Sequence, residues 1–139
     1  MNREPRVRYN TLLAKSGKVM QVENNLYYQF LMDNGNNFHV AVFYKWNLAT
    51  DEITNLGVLD VAPNARITSN NYSGIKFNLF KNKLFVTYDD VWFIDAAIVS
   101  IDLATNNIQL LKHSKNMFSM ILVDNNIYYL LSIMEVQLV

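Results

Sequence analysis

Three carboxylates and a tryptophan lie close together in the middle of the chain: Asp89, Asp90, Trp92 and Asp95. Carboxylates beside an aromatic ring can bind a sugar or a cation, and a carboxylate pair can act as general acid and base on a glycoside. A simpler interpretation is that Asp89 and Asp90 form a hairpin turn. Asp95 is harder to explain, because it lies in an apolar stretch where a buried carboxylate needs a partner. These four are the candidate ligand-binding residues, and we assign no catalytic residue.

Other residue types that carry chemistry are sparse. The chain has no cysteine, which excludes disulfides and thiolate chemistry. Its two histidines, His39 and His113, are far apart and belong to no group with metal-ligand spacing, so we expect structural or surface roles for both and no metal. Glycine-rich phosphate loops and nucleophile elbows are absent, and we expect no cofactor. Trp46 and Trp92 fit packing between sheets better than ligand stacking.

Composition narrows the function classes further. Hydrophobic residues make up 51% of the 139 residues and charged residues 17%, with a formal net charge of zero. A neutral chain lacks the field that gathers nucleic acid, so we expect no nucleic-acid partner. The apolar tract Met117–Val139 is interrupted by Asp124 and Glu135, and neither piece is long enough for a membrane-spanning helix. We see no signal peptide, so the cytoplasm is the default expectation and the compartment stays open.

Short apolar or alternating runs separated by Asn, Asp, Gly and Lys predict strands throughout and no helix. The predicted strands are Val7–Leu13, Val19–Val22, Leu26–Met32, Phe38–Leu48, Ile53–Val61, Ile75–Phe80, Leu84–Tyr88, Val91–Leu103, Ile108–Leu111, Met117–Val123, Ile127–Ile133 and Met134–Val139. The polar stretch between residues 62 and 74 separates two groups of strands, and residues 113–116 form a loop.

The strand pattern repeats. Leu48-Ala49-Thr50 aligns with Leu103-Ala104-Thr105, and an Asn-rich hairpin signal occurs before three aromatic or aliphatic strands, at residues 24–28, 82–86 and 125–129. The predicted units are 19–61, 75–113, and a split unit of 6–13 with 117–139, within one all-β domain, 1–139. Four-stranded units of about 40–50 residues have the size of β-propeller blades.

The segments Tyr44–Thr50 and Val99–Thr105 resemble the blade signature of TolB-type and YncE-like bacterial β-propellers, in which an apolar strand runs through a Leu-Ala-Thr corner into an outer strand. The corner glycine usual in such repeats is replaced by Asp51 and Asn106. The resemblance implies antiparallel four-stranded propeller-type blades and transfers no catalytic motif. Propellers of this kind mostly act as binding platforms, and some serve as enzyme scaffolds.

About three blades cannot close a ring, since closed propellers have about 4–8. Two chains completing a six-bladed ring, a piece of a longer protein, and an open partial propeller or stack all remain alternatives. We expect self-association, because an open arc leaves apolar sheet faces in water. The function expected is a non-catalytic binding or protein-interaction module; the alternative is a carbohydrate-active enzyme or sugar-binding propeller fragment that uses the loop carboxylates.

Overall fold

A computed structural model describes residues 19–33, 38–62, 72–90, 96–114, 117–123, 126–131 and 136–138. The regular elements in these residues are eleven strands. In chain order they are β1 (Val19–Val22), β2 (Asn25–Asp33), β3 (Phe38–Asn47), β4 (Glu52–Asp60), β5 (Tyr72–Phe80), β6 (Lys83–Asp90), β7 (Ala96–Asp102), β8 (Ile108–Ser114), β9 (Met117–Val123), β10 (Asn126–Leu131) and β11 (Val136–Leu138). The all-β prediction is therefore confirmed.

The strands form three antiparallel sheets, each built from neighbours in the chain. The first sheet has the order β1-β2-β3-β4, the second β5-β6-β7-β8, and the third β11-β10-β9. No described sheet closes on itself, because each is an open ladder with two edge strands. Such up-and-down order follows from two-residue hairpins and short corners, which can join only antiparallel neighbours.

The turns of the first two sheets have matching backbone geometry. Each sheet opens with a two-residue hairpin whose first residue is left-handed, Glu23 with φ 54° and Lys81 with φ 56°. Each later corner also contains one left-handed residue, Asp51 with φ 65° and Asn106 with φ 62°. These four residues adopt the left-handed turn conformation without glycine. Asn and Asp, which occupy the two corner positions, tolerate this conformation better than most residues.

Side-chain caps explain the two Leu-Ala-Thr corners. Asn47 Oδ1 accepts hydrogen bonds from the backbone N–H groups of Ala49 and Thr50, at 2.9 and 3.1 Å. Asp102 Oδ1 accepts the corresponding bonds from Ala104 and Thr105, at 2.9 and 3.2 Å. This Asx-turn chemistry ends each apolar strand at the residue before the leucine.

One further backbone bond ties each corner to the hairpin of its own sheet. Leu48 N donates to Asn24 O at 2.7 Å, and Leu103 N donates to Asn82 O at 3.1 Å. The two sheets therefore match in strand order, in left-handed positions and in the bonds that join corner to hairpin.

Several predicted boundaries are wrong. Asp89 and Asp90 were predicted to turn, but both lie in β6, where Asp89 pairs with Gly74 of β5. His113 and Ser114 were predicted as a loop and instead end β8, whose pairing with β7 continues to Ala96. Tertiary pairing overrides local turn preference at both places. The predicted strands Val7–Leu13 and the start of Val91–Leu103 lie outside the described residues.

The hydrophobic core lies between the first and second sheets. Strand β1 contacts β5 and β4 contacts β8, so the sheets stack face to face in the same strand order. The core joins buried side chains from both sheets: Tyr27, Ala41, Phe43, Val61, Ala62, Ile75, Phe77, Leu84, Val86, Tyr88, Ala97, Val99 and Ile101. Burying such a set is the main favourable contribution to folding.

Different faces of the two sheets meet in this core. Side chains alternate along a strand, so β2 directs Tyr27 and Gln29 to the core while β6 directs Leu84, Val86 and Tyr88. When the hairpins Glu23-Asn24 and Lys81-Asn82 are aligned, Leu84 corresponds to Leu26, which lies on the opposite face of its sheet. The second sheet therefore stacks on the first in the same orientation, so that one face of the first sheet meets the non-equivalent face of the second.

The second sheet is covered on both faces. Its other face carries Phe85, Ala96, Ile98 and Ser100, all 7% exposed or less. Strand β9 of the third sheet contacts β6 and β7. This placement explains why β7 is apolar at every position from Ala96 to Val99, since a strand buried on both faces does not alternate.

Gly57 lies where β4 of the first sheet contacts β8 of the second. It lies in β4 beside a bulge, with φ 134°, and a Cβ atom there would lie 3.0 Å from Ile108 Cδ1 of β8. Asn55 Oδ1 accepts a hydrogen bond from Gly57 N at 2.8 Å, which holds this backbone conformation. Only glycine adopts such a φ readily, so Gly57 is required both by the conformation and by the space.

We predict that Gly57→Ala lowers the free energy of unfolding by about 2 kcal/mol or more, from backbone strain and from crowding against Ile108. Urea denaturation measures this loss. Ile108→Val removes the Cδ1 atom, so this second substitution should cost less when it is added to Gly57→Ala than when it is made in the natural sequence. A Gly57→Ala variant as stable as the natural protein would contradict the described contact.

Candidate functional site

The two ends of the sheet stack differ. Lys45, near the end of β3, donates from Nζ to Asn106 Oδ1 in the corner after β7, at 3.2 Å. Strands β3 and β7 therefore run in the same direction, and all the tight hairpins and corners of the first two sheets lie at one end, the turn end. The connections of residues 34–37, 63–71 and 91–95 leave from the opposite end, which we call the loop end.

Asp89 is the candidate residue whose side chain the structure describes. It is half-buried near the end of β6, and its carboxylate lies directly over Gly74 of the neighbouring strand. A Cβ atom at Gly74 would overlap Asp89 Oδ1, so the absent side chain makes the space that the carboxylate occupies. This is a second position where a glycine is used for close approach.

The other candidate residues are only partly accounted for. Asp90 is the last residue of β6 and follows Asp89, so both residues lie at the end of one strand, at the loop end. Trp92 and Asp95 lie outside the described residues. The structure thus brings Asp89 and Asp90 to the loop end of the second sheet and does not test whether all four residues line one pocket.

The loop end carries more carboxylates than the sequence pattern indicated. Strands β2, β4 and β6 end in Asp33, Asp60 and Asp90, and all three run toward the loop end. Asp60 Oδ1 accepts a hydrogen bond from Ala62 N at 3.0 Å, which stabilises the exit of the chain from β4. We missed Asp33 and Asp60 in the sequence, where the shared signal is an aspartate at the end of an apolar run.

These aspartates end three different strands of two sheets. Within the part of the chain that the structure describes, no three His, Asp or Glu side chains come close enough to hold a metal ion. The described residues also contain no long apolar helix of a kind that spans a membrane.

Trp46 packs on the face of the first sheet that points away from the second sheet. It is half-buried against Leu26 and Tyr28, and its Nε1 donates to Asp51 Oδ1 at 3.0 Å. The ring of Tyr28 stacks on that of Tyr44 with a centroid separation of 5.4 Å. Phe30 meets both rings edge to face, so this face carries an aromatic cluster.

Polar groups inside the core connect the sheets. The Tyr88 hydroxyl donates to Gln29 Oε1 at 3.2 Å, and both side chains are at most 2% exposed. Burial, with a smaller contribution from the Glu23 carboxylate, raises the pKa of the Tyr27 phenol above its ordinary value of 10.0. Both groups lie in the packing core and not at the loop end, so they concern stability.

No protein-family model matches the sequence, and no curated protein matches it with significant similarity.

We predict that the raised pKa of Tyr27 makes the protein less stable in alkali. Because the folded state holds the phenol proton more tightly than the unfolded chain, this contribution is complete below pH 10 and is lost as the pH rises through the folded-state pKa. Urea denaturation at a series of pH values above neutrality should show Tyr27→Phe flattening the decline.

Glu23→Gln provides the matched control for this titration. It removes the smaller electrostatic cause and leaves burial in place, so its decline should fall between those of the natural protein and Tyr27→Phe. Identical alkaline profiles for all three proteins would show that Tyr27 does not titrate as described.

Proposed function

We propose that this protein is a non-catalytic binding module built of propeller-type blades, and that its loop end binds a basic segment of a partner protein. Support for the blades comes from the stacking of two four-stranded sheets in the same order, with edge strand β1 against β5 and edge strand β4 against β8. Propeller blades pack in this way around a channel. The TolB-type resemblance of the Leu-Ala-Thr corners points in the same direction.

One observation carries the choice of surface: because the two sheets run in the same direction, β2, β4 and β6 all finish at one end, and each finishes in aspartate. Binding residues concentrate on loops held by a rigid scaffold. The turn end offers less for this purpose, because its corners use their side-chain oxygens to cap their own backbone.

Charge selects the class of partner. Four aspartates lie at or near strand ends at the loop end: Asp33, Asp60, Asp89 and Asp90. Near the end of β8, the described residues also include a lysine and a histidine, Lys112 and His113. An acidic surface with a few cations attracts lysine- or arginine-rich peptides and repels acidic ones. Such binding weakens with added salt, since the charges are near solvent.

Selection from a random peptide library against the immobilised 139-residue chain tests this proposal. We predict that the selected peptides are rich in lysine and arginine, and that fluorescence polarisation shows binding that weakens as salt is added. The paired substitution Asp89→Asn with Asp90→Asn should weaken binding about tenfold, because it removes two charges from the loop end.

Two further variants sharpen the result. Gly74→Ala should displace the Asp89 carboxylate and weaken binding in the same direction, although it leaves the charge in place. Lys81→Ala, at the turn end, is the matched control and should leave binding unchanged. Peptides without basic residues, a selection that yields no convergent binder, or binding that depends on Lys81 and not on Asp89 and Asp90 would overturn the proposal.

A further inference from the structure

The four edge strands of the first two sheets differ in how well they are protected from pairing with another chain. An edge strand presents unpaired backbone N–H and C=O groups, and a bulge or a short length protects it. Strand β1 has four residues, and β4 and β8 are each interrupted by a bulge near the middle. Strand β5 has nine residues, and its irregularity lies between Tyr72 and Gly74, so the run from Ile75 to Phe80 is regular. Among these edges, β5 is therefore the best suited to accept a further strand.

The hairpin between β5 and β6 determines which residues of β5 point their backbone groups outward. Phe80 and Lys83 flank the two-residue turn, so they exchange hydrogen bonds with each other. Hydrogen-bonded and non-hydrogen-bonded pairs alternate along an antiparallel ladder. The backbone groups of alternate residues therefore point away from β6: Ile75, Phe77 and Leu79.

The side chains of this run alternate between the two faces of the second sheet. Ile75 and Phe77 are buried in the core, whereas Leu79 on the same face is 47% exposed. Lys76 and Asn78 are exposed on the other face. A strand added to β5 would cover Leu79 and leave Lys76 and Asn78 at the surface.

The run is compatible with antiparallel pairing to a copy of itself. When Phe77 lies opposite Phe77 of a second copy, Ile75 lies opposite Leu79, and Lys76 lies opposite Asn78. Apolar side chains then meet apolar ones and no like charges are directly opposite, which favours cross-strand pairing. This register also brings the outward backbone groups of the two copies face to face, as hydrogen-bonded pairs require.

Other symmetric pairings bring like charges together. Centring β5 on Lys76 places the two lysines directly opposite each other. Centring β4 on Leu56 places Glu52 opposite Asp60 at both ends. Like charges directly opposite destabilise a sheet, so the sequence favours β5 and the register centred on Phe77.

We propose that two copies of this chain pair through β5, antiparallel and centred on Phe77, to form one continuous eight-stranded sheet from the two second sheets. The contact is symmetric, as in most homodimers, in which the same surface patch of each subunit meets itself. Addition of a strand to an exposed sheet edge is a recurring mode of protein recognition. This inference concerns a different surface from the loop end and does not rest on the proposed function.

The pairing has a consequence for the loop ends. Strand β5 runs from the loop end to the turn end in each copy, and the two copies of β5 are antiparallel. The two loop ends therefore point in opposite directions, and the dimer presents both of them to solvent.

Sedimentation velocity and multi-angle light scattering of the 139-residue chain over a wide concentration range test the proposal. We predict a species of twice the chain mass whose fraction rises with concentration. Asn78→Lys should raise the dimer dissociation constant about tenfold, because it sets a lysine opposite Lys76 at two places in the pairing. Since Asn78 is exposed, circular dichroism should show the variant folded.

Two further variants identify the register. Lys76→Glu combined with Asn78→Lys should restore the dimer, because each new lysine then lies opposite a glutamate. Gln109→Lys is the matched control, because Gln109 is exposed on β8, at the other edge of the same sheet, and it should leave the dimer unchanged.

A natural protein that is monomeric at all concentrations would overturn the proposal. So would an Asn78→Lys variant that dimerises normally, a double variant that does not recover, or equal weakening by Gln109→Lys. These variants leave the loop-end aspartates in place, so the loss of the dimer and the loss of peptide binding are measured independently.

Discussion

Everything described in this protein depends on one packing interaction, the burial of one face of the first sheet against the opposite face of the second. Neither sheet could remain in water alone, because each carries a continuous apolar face of aromatic and branched side chains. The Gln29–Tyr88 hydrogen bond lies inside this contact, and the Lys45–Asn106 bond lies at its turn end. These polar pairs fix the relative position of two surfaces that hydrophobic burial alone would allow to slide.

This contact also orders the two ends of the stack. Because the sheets run in the same direction, the capped corners and two-residue hairpins collect at one end, and the connections of residues 34–37, 63–71 and 91–95 leave from the other. At the turn end, Asn47 and Asp102 use their oxygens to cap their own backbone, while aspartates end β2, β4 and β6 at the opposite end.

Much of this architecture could be predicted from local residues. Asn47 and Asp102 before Leu-Ala-Thr mark the corners, and alternating runs marked nearly all of the strands. The sequence could not show which face of β7 meets the first sheet, because Ala96–Val99 is apolar on both faces and has no period. The turn predicted at Asp89 and Asp90 is wrong because pairing with β5 outweighs their local turn preference. In β5, Gly74 leaves room for the Asp89 carboxylate. The loop-end aspartates Asp33 and Asp60 are far apart in the chain, and only the topology places them at one end.

The most direct test of the sheet contact is an NMR measurement between Gly57 and Ile108. The account predicts a nuclear Overhauser effect between the α-protons of Gly57 in β4 and the δ1 methyl of Ile108 in β8, because a Cβ atom at Gly57 would lie 3.0 Å from that methyl carbon. An assigned Ile108 methyl whose cross-peaks reach only residues of its own sheet would contradict the stacking and everything inferred from it.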